Sequence, residues 1–249
     1  MNWVPTGPAA ACIAIGAALL VSCAAPEASG PRDYDSASRL RVAAVAEASG
    51  QSDVALSMYA SAAAAEPGSA EVQARFAAAL ARSGNLAQAE QVLDRAIGRR
   101  SEDPALLTQL GRLRLRSGAA AEALAVFDRL LAAAPRNTDA LDGRGVALDL
   151  LGRHAEAEGS YRMALALAPD SLPIANNLGM SLLLAGRPAE ALAVLEPLAL
   201  RPGAPLRVAA NLAIAQAATG NRDMAALAFS QPGGTEDLEA ILASLGAGS

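Results

Sequence analysis

The chain has 249 residues, with 25 acidic side chains against 20 basic ones and a net charge of −5, a balance that argues against the basic patch a nucleic-acid partner requires. Its two cysteines, Cys12 and Cys23, both precede residue 24, so the remainder of the chain has no disulfide or cysteine-based metal site to draw on. Every basic residue is Arg, aromatics make up 3%, and Ala and Leu dominate, a composition suited to helices that approach closely over small side chains.

Residues 9–21 form an apolar run of 13 residues, shorter than the roughly 18–20 that cross a bilayer core. Its length is that of a signal-peptide apolar region. It ends in Leu20-Val21-Ser22-Cys23, which resembles a bacterial lipobox. The resemblance implies a signal peptide over 1–22, removed before Cys23, and lipid attachment at Cys23. With Ala24 following the modified residue, it also implies sorting to the outer membrane, on the periplasmic face. Two or more acyl chains anchor a protein stably where one holds it marginally. An uncleaved anchor and a plain secretory signal with a chance Cys are the other readings of the run. Residues 23–35 read as a lipidated N-terminus and a Pro-, Gly-, Ser- and Ala-rich tether, whose twelve residues after Cys23 reach at most about 40 Å.

From residue 36 onward two residue types hold a 34-residue phase over six copies. Gly recurs at 50, 84, 118, 152, 186 and 220, and Ala at 55, 89, 123, 157, 191 and 225. With that Gly as position 15, the units begin at 36, 70, 104, 138, 172 and 206, and the array runs over 36–231. Position 8 is always small: Ala43, Ala77, Gly111, Gly145, Gly179, Ala213. Position 24 is bulky: Tyr59, Leu93, Phe127, Tyr161, Leu195, Phe229. Small residues at 8 and 20 let two antiparallel helices cross closely, with the bulky residue beside them. Gly at 15 permits the left-handed backbone that ends a helix. Pro67, Pro135 and Pro169, all at position 32, stop the second helix, and Pro202 falls one place early. Asp103 before Pro104 is an N-cap followed by Pro at the first helical position; Ser69, Asn137 and Asp170 occupy similar places.

These positions resemble the tetratricopeptide repeat (TPR), although the Trp usual at position 4 is absent. The fold expected is all-α: a TPR solenoid of about six helix–turn–helix units. Residues 235–246 carry Leu238, Ile241, Leu242 and Leu245 on one helix stripe and read as a C-terminal capping helix, the alternative being a helix that occupies the groove.

No catalytic constellation can be assembled. His154 is the only His, and without Cys in the body no nucleophile–base pair or zinc cluster follows. Asp139, Asp142 and Asp149 share a helix face, an arrangement that more often is solvated charge. Neither an enzyme nor a cofactor is expected, and no small-molecule substrate.

Binding remains. In tetratricopeptide arrays the concave groove is lined by first-helix positions 2, 5, 9, 12 and 13. The resemblance places Thr108, Arg112, Leu115 and Arg116 there from the third unit and Asp139, Asp142, Val146, Asp149 and Leu150 from the fourth. The fifth unit supplies Asn176, Met180, Leu183 and Leu184, and the sixth Arg207, Ile214 and Ala217. The groove should be charged in its middle and apolar toward its C-terminal third. Asn177 and Asn211, both at position 6, either orient a bound peptide together with Arg207 or bond between helices. Asp142 and Val146 stand where a complete peptide-carboxylate clamp needs a cation and an Asn. An apolar or amphipathic segment of a protein partner is the expected ligand.

The segment 176–221, with its early Pro202 and extra Pro205, resembles the Flp/Tad (tight adherence) pilus assembly lipoproteins of the TadD family. That resemblance implies a pilotin-like factor for the pilus secretin, partnered by the secretin or another assembly component and held to the membrane through Cys23. A general periplasmic adaptor lipoprotein, for instance one gathering peptidoglycan hydrolases, is the alternative within the binding class. An enzyme with a helical-repeat body is the alternative outside it.

Overall fold

The computed structural model describes residues 35–221 except Ser101. The expected signal peptide, Cys23, most of the expected tether, the expected second helix of the sixth unit and the expected helix at 235–246 lie outside the described residues. The chain divides into two units, Met1–Tyr34 and Asp35–Ser249, and all described residues belong to the second.

Eleven helices make up the described part, with no strand among them. The first helices of the units are α1 (Ser36–Ala48), α3 (Ala70–Arg82), α5 (Pro104–Arg116), α7 (Thr138–Leu150), α9 (Leu172–Leu184) and α11 (Leu206–Ala218). The second helices are α2 (Ser52–Ala65), α4 (Leu86–Ile97), α6 (Ala120–Ala133), α8 (His154–Leu167) and α10 (Pro188–Ala199).

Local chemistry sets these limits. The Asp103 carboxylate accepts from the N–H groups of Ala105 and Leu106 at 3.0 and 3.3 Å, and Asn137 accepts from Ala140 at 2.9 Å. Asp35, the last residue of the expected tether, caps α1 by accepting from Ser38 at 2.7 Å. The fifth unit departs from expectation. Ser171, not Asp170, is the N-cap of α9, and it makes no side-chain capping bond. At the other end, each position-15 Gly has φ between 70° and 93°. The next residue's N–H then reaches back to close the turn, as in Gln51 to Ala46 at 2.8 Å and Arg187 to Leu182 at 2.9 Å.

The length of the second helix varies with the residue at position 32. Where it is Pro, in α2, α6 and α8, the helix has 14 residues. Where it is Ser101 or Gly203, the helix (α4 or α10) has 12, and the connection to the next unit lengthens to 98–103 or 200–205. In the latter connection Gly203 adopts φ 76° and Pro205 becomes the N-cap of α11.

The core repeats with the sequence. Ala at position 20 is 0–4% exposed in all five described second helices, and position 24 is 0–4% exposed from Tyr59 to Leu195. Phe127 lies between two glycines of consecutive first helices, Gly111 and Gly143; a methyl group added at either would stand 2.5 or 2.2 Å from its ring. Gly145 and Gly179 receive Tyr161 and Leu195 in the same way. The small residues are therefore seats for the bulky ones, which is why helices this poor in large side chains still close-pack.

Candidate functional site

Consecutive first helices pack directly on one another from α3 through α11, and the second helices form no comparable row. The first helices thus line the narrower, concave side, and each groove position falls on a known helix face.

Hydrogen bonds between neighbouring first helices run along this face. Arg112 of α5 pairs with Asp139 of α7 at 3.0 Å. The Asn177 amide of α9 donates to Asp142 of α7 at 2.9 Å, and the Asn211 amide of α11 donates to Asn176 of α9 at 3.0 Å. Both amide bonds join position 6 of one unit to position 5 of the unit before. Of the two readings of these Asn side chains, bonding between helices is the one they make here. Asn176 is 4% exposed, so its carbonyl oxygen, accepting from Asn211, is a structural strut.

Asp142 is mostly enclosed. Burial raises its carboxyl pKa above the ordinary carboxylate value, against the opposing pull of the Asn177 bond and of Arg112 and Arg207. Arg207 is exposed, at position 2 of α11. Asp149, at position 12, is a junction between three helices. It accepts from Tyr161 Oη at 3.1 Å and Ser181 Oγ at 2.8 Å, and meets His154 Nδ1 at 2.9 Å. Asp149 is therefore committed to the scaffold rather than solvated, and His154 packs against it instead of standing free. Burial, followed by the Asp149 charge, raises the Tyr161 phenol above its ordinary pKa. The first unit repeats the device: Tyr59 donates to Glu47 at 3.1 Å, again from position 24 to position 12.

The expected apolar lining divides. Leu183 and Ile214 are 2% and 5% exposed and belong to the core cluster that joins α9 to α11, so neither side chain faces a ligand. Position 12 explains Leu183, because it turns toward the unit's own second helix, as the Tyr–acid pairs show. Leu184 is 38% and Leu150 60% exposed, both at position 13, and Met180 and Val146 at position 9 are half-buried beside them. Thr108 is buried, while Arg112 and Arg116 are exposed. From α3 to α9 the open face is thus built from positions 9 and 13; on α11 the rule breaks, since Ile214, also at position 9, is buried.

Between α3 and α5 that face dips into a cleft of about 130 Å³, floored by Ala77, Ala78 and Ala81 and rimmed by Arg82, Gln109, Arg112 and Arg116. Sequence reading placed two of those arginines in the groove but missed Arg82, also at position 13, and the cleft itself. The signal lay in the small residues Ala78 and Ala81 at positions 9 and 12 of the second unit, which leave room that larger side chains fill elsewhere.

No group of three or more His, Cys, Asp or Glu among the described residues could hold a metal ion, and no described helix is long and apolar enough to cross a membrane.

Three family models, each described as tetratricopeptide repeat, match residues 46–113, residues 108–171, and residues 174–197 with 206–226. No curated protein matches. Among solved structures, a thermophilic TPR protein of Thermus thermophilus is 23% identical, covering 73% of this chain and 99% of its own, with a TM-score of 0.67. A tetratricopeptide repeat protein from Parabacteroides merdae is 17% identical over 88% of this chain and 85% of its own, TM-score 0.66. PilF of Pseudomonas aeruginosa is 16% identical over 80% and 90%, TM-score 0.62. These likenesses establish the fold alone. Taken with the helix–turn–helix units and their Gly, Ala and bulky-residue framework, the three models, which together span well over half of the sequence, mean that the chain belongs to the tetratricopeptide repeat family, a family of protein-binding scaffolds.

Proposed function

We propose that this protein is a lipid-anchored adaptor on the periplasmic face of the outer membrane. In this role it assists assembly of a Flp/Tad pilus by holding the secretin, or another assembly component, in its concave face. The observation that carries this reading is the segment 176–221. There the resemblance to the TadD family is most specific, and there the repeat breaks its own pattern through Pro202, Gly203 and Pro205. The same segment contributes Met180, Leu184 and Arg207 to the open face. The apolar run ending at Cys23 supports the anchor.

Two measurements test it. Cys23→Ala, or globomycin treatment, should change the size of the protein and release it from the membrane fraction; an unchanged size and fractionation removes the anchor. Co-purification from detergent-solubilised outer membrane should recover a secretin. Recovery of cell-wall hydrolases alone would instead assign the protein to the general adaptor class.

A further inference from the structure

We infer that the concave face takes an extended segment whose acidic end sits in the α3–α5 cleft and whose apolar end lies over α7 and α9. This inference rests on the reading of the concave face as a partner-binding surface and adds the chemistry of the partner.

Charge places the acidic end. Arg82, Arg112 and Arg116 converge on one cleft. Arg112 gives a single 3.0 Å contact to Asp139, and both side chains of that pair are about half exposed or more, at 49% and 65%. Such a pair is weakly held and leaves most of the guanidinium donors open. Arg82 pairs with Glu47, both partly exposed, and Arg116 has no ion-pair partner among the described residues. A carboxylate entering here would meet planar donors able to bind it bidentately. The alanine floor leaves about 130 Å³ for it, the room of a carboxylate and its adjoining methylenes.

The same helix positions change character farther along. Positions 9 and 13 hold Arg112 and Arg116 on α5, but Val146 and Leu150 on α7 and Met180 and Leu184 on α9. The arginines therefore do not belong to the repeat framework, and the groove is polarised along its length. Packed helices lie about 8–10 Å apart, so α5 and α9 are separated by roughly 20 Å. An extended chain covers that in about six residues at about 3.3 Å each. The fitting segment has one or two Asp or Glu, then apolar side chains about three and about six residues away.

The test is selection from a random dodecamer peptide display library on the full chain in detergent, in parallel with its Arg112→Glu/Arg116→Glu and Leu184→Glu variants. Circular dichroism melts show that each variant is folded; all three sites are exposed. Selected peptides should be enriched in acidic residues three to six places from a Leu, Ile, Val or Met. The arginine variant should bind them at least tenfold more weakly and select basic residues instead. The Leu184→Glu variant should keep the acidic preference and lose the apolar one. Peptides without acid, the same peptides from the arginine variant, or no selected peptide each overturn the inference. Self-association abolished by Arg116→Glu would also overturn it, by making the acidic stretch at 236–239 of a second copy the occupant. A secretin recovered from the outer membrane alongside a failed selection would leave the adaptor reading standing and this one refuted.

Discussion

Gly143→Ala tests the packing logic of the repeat in a single methyl group. Gly143 lies inside α7, and an added methyl would stand 2.2 Å from Phe127 Cζ and 2.5 and 2.6 Å from its two Cε atoms. Ordinary contact begins near 3.4 Å, so the ring or the helix must give by roughly 1.2 Å. The ring has nowhere to go, because Phe127 is fully buried and Gly111 closes its other face, where a methyl would already be 2.5 Å away. Overpacking of this kind costs about 1–3 kcal/mol, and with both faces closed the upper part of that range applies. Replacing Gly by Ala in a helix returns about 1 kcal/mol. The net loss is about 2 kcal/mol, or about 4–8 °C in melting temperature for a body of this size. Gly159→Ala is the matched control. It lies in α8 with nothing within 4 Å of the new methyl, and should gain about 1 kcal/mol from helix propensity alone. Phe127→Leu should largely relieve the Gly143→Ala penalty, since Leu93, the position-24 residue of the second unit, is buried although the counterpart of Gly143 in the next first helix is the larger Gln109. Melts followed by circular dichroism at 222 nm decide the matter. A Gly143→Ala protein that melts at or above the wild type refutes the seat-and-filler account.

Three further outcomes follow from the electrostatics. Because burial raises the folded-state pKa of Asp142, its ionised form lowers stability above that pKa, and the cost disappears as pH falls below the unfolded value. Asp142→Asn, which keeps an acceptor for Asn177, should therefore melt higher than wild type at pH 7 and lose that advantage by pH 3; an advantage independent of pH contradicts the assignment. Glu158 behaves oppositely, since hydrogen bonds from Arg162 and Arg187 lower its pKa. Its stabilisation is present above the unfolded value and lost as pH falls through the lowered folded one. Glu158→Gln should thus melt lower than wild type at pH 7 and match it in acid, and a gap that widens in acid is the contrary result. Tyr161→Phe should cost about 1 kcal/mol and Asp149→Ala about 2–3 kcal/mol, because the latter strands two largely buried hydroxyls as well as His154. Equal losses would show that Asp149 is no junction.

Much of the fold is legible in the sequence because a repeat states each packing rule several times. Gly186, Ala191 and Leu195 mean little alone, but their counterparts in the other units identify a turn, a helix crossing and its filler. The site is less legible because it lies in what the units do not share. Leu183 and Leu184 are adjacent and equally apolar, yet one is core and the other open. The difference is one helical step of about 100°, which sends position 12 toward the second helix and position 13 toward the groove. The Tyr–acid pairs, Tyr59 with Glu47 and Tyr161 with Asp149, were present in the sequence as a correlation twelve residues apart. Reading the acids as a group on one helix face hid it. The Asn177 and Asn211 bonds span one unit plus one residue, so a comparison of equivalent positions alone does not pair them. Asp170 was displaced as N-cap by Ser171, one residue nearer to Pro173, where a rigid φ suits the first turn of α9.

The central claim is that a pilus assembly protein occupies the concave face. A photo-crosslinking residue at position 184, on that face, compared with one at position 200, where Leu200 is 86% exposed in the connection to the sixth unit, tests it in living cells. The account predicts a covalent adduct with the secretin or another pilus component from position 184, diminished by Arg112→Glu/Arg116→Glu, and none from position 200. Adducts from position 200 but not 184, or adducts only with cell-wall enzymes, would contradict it.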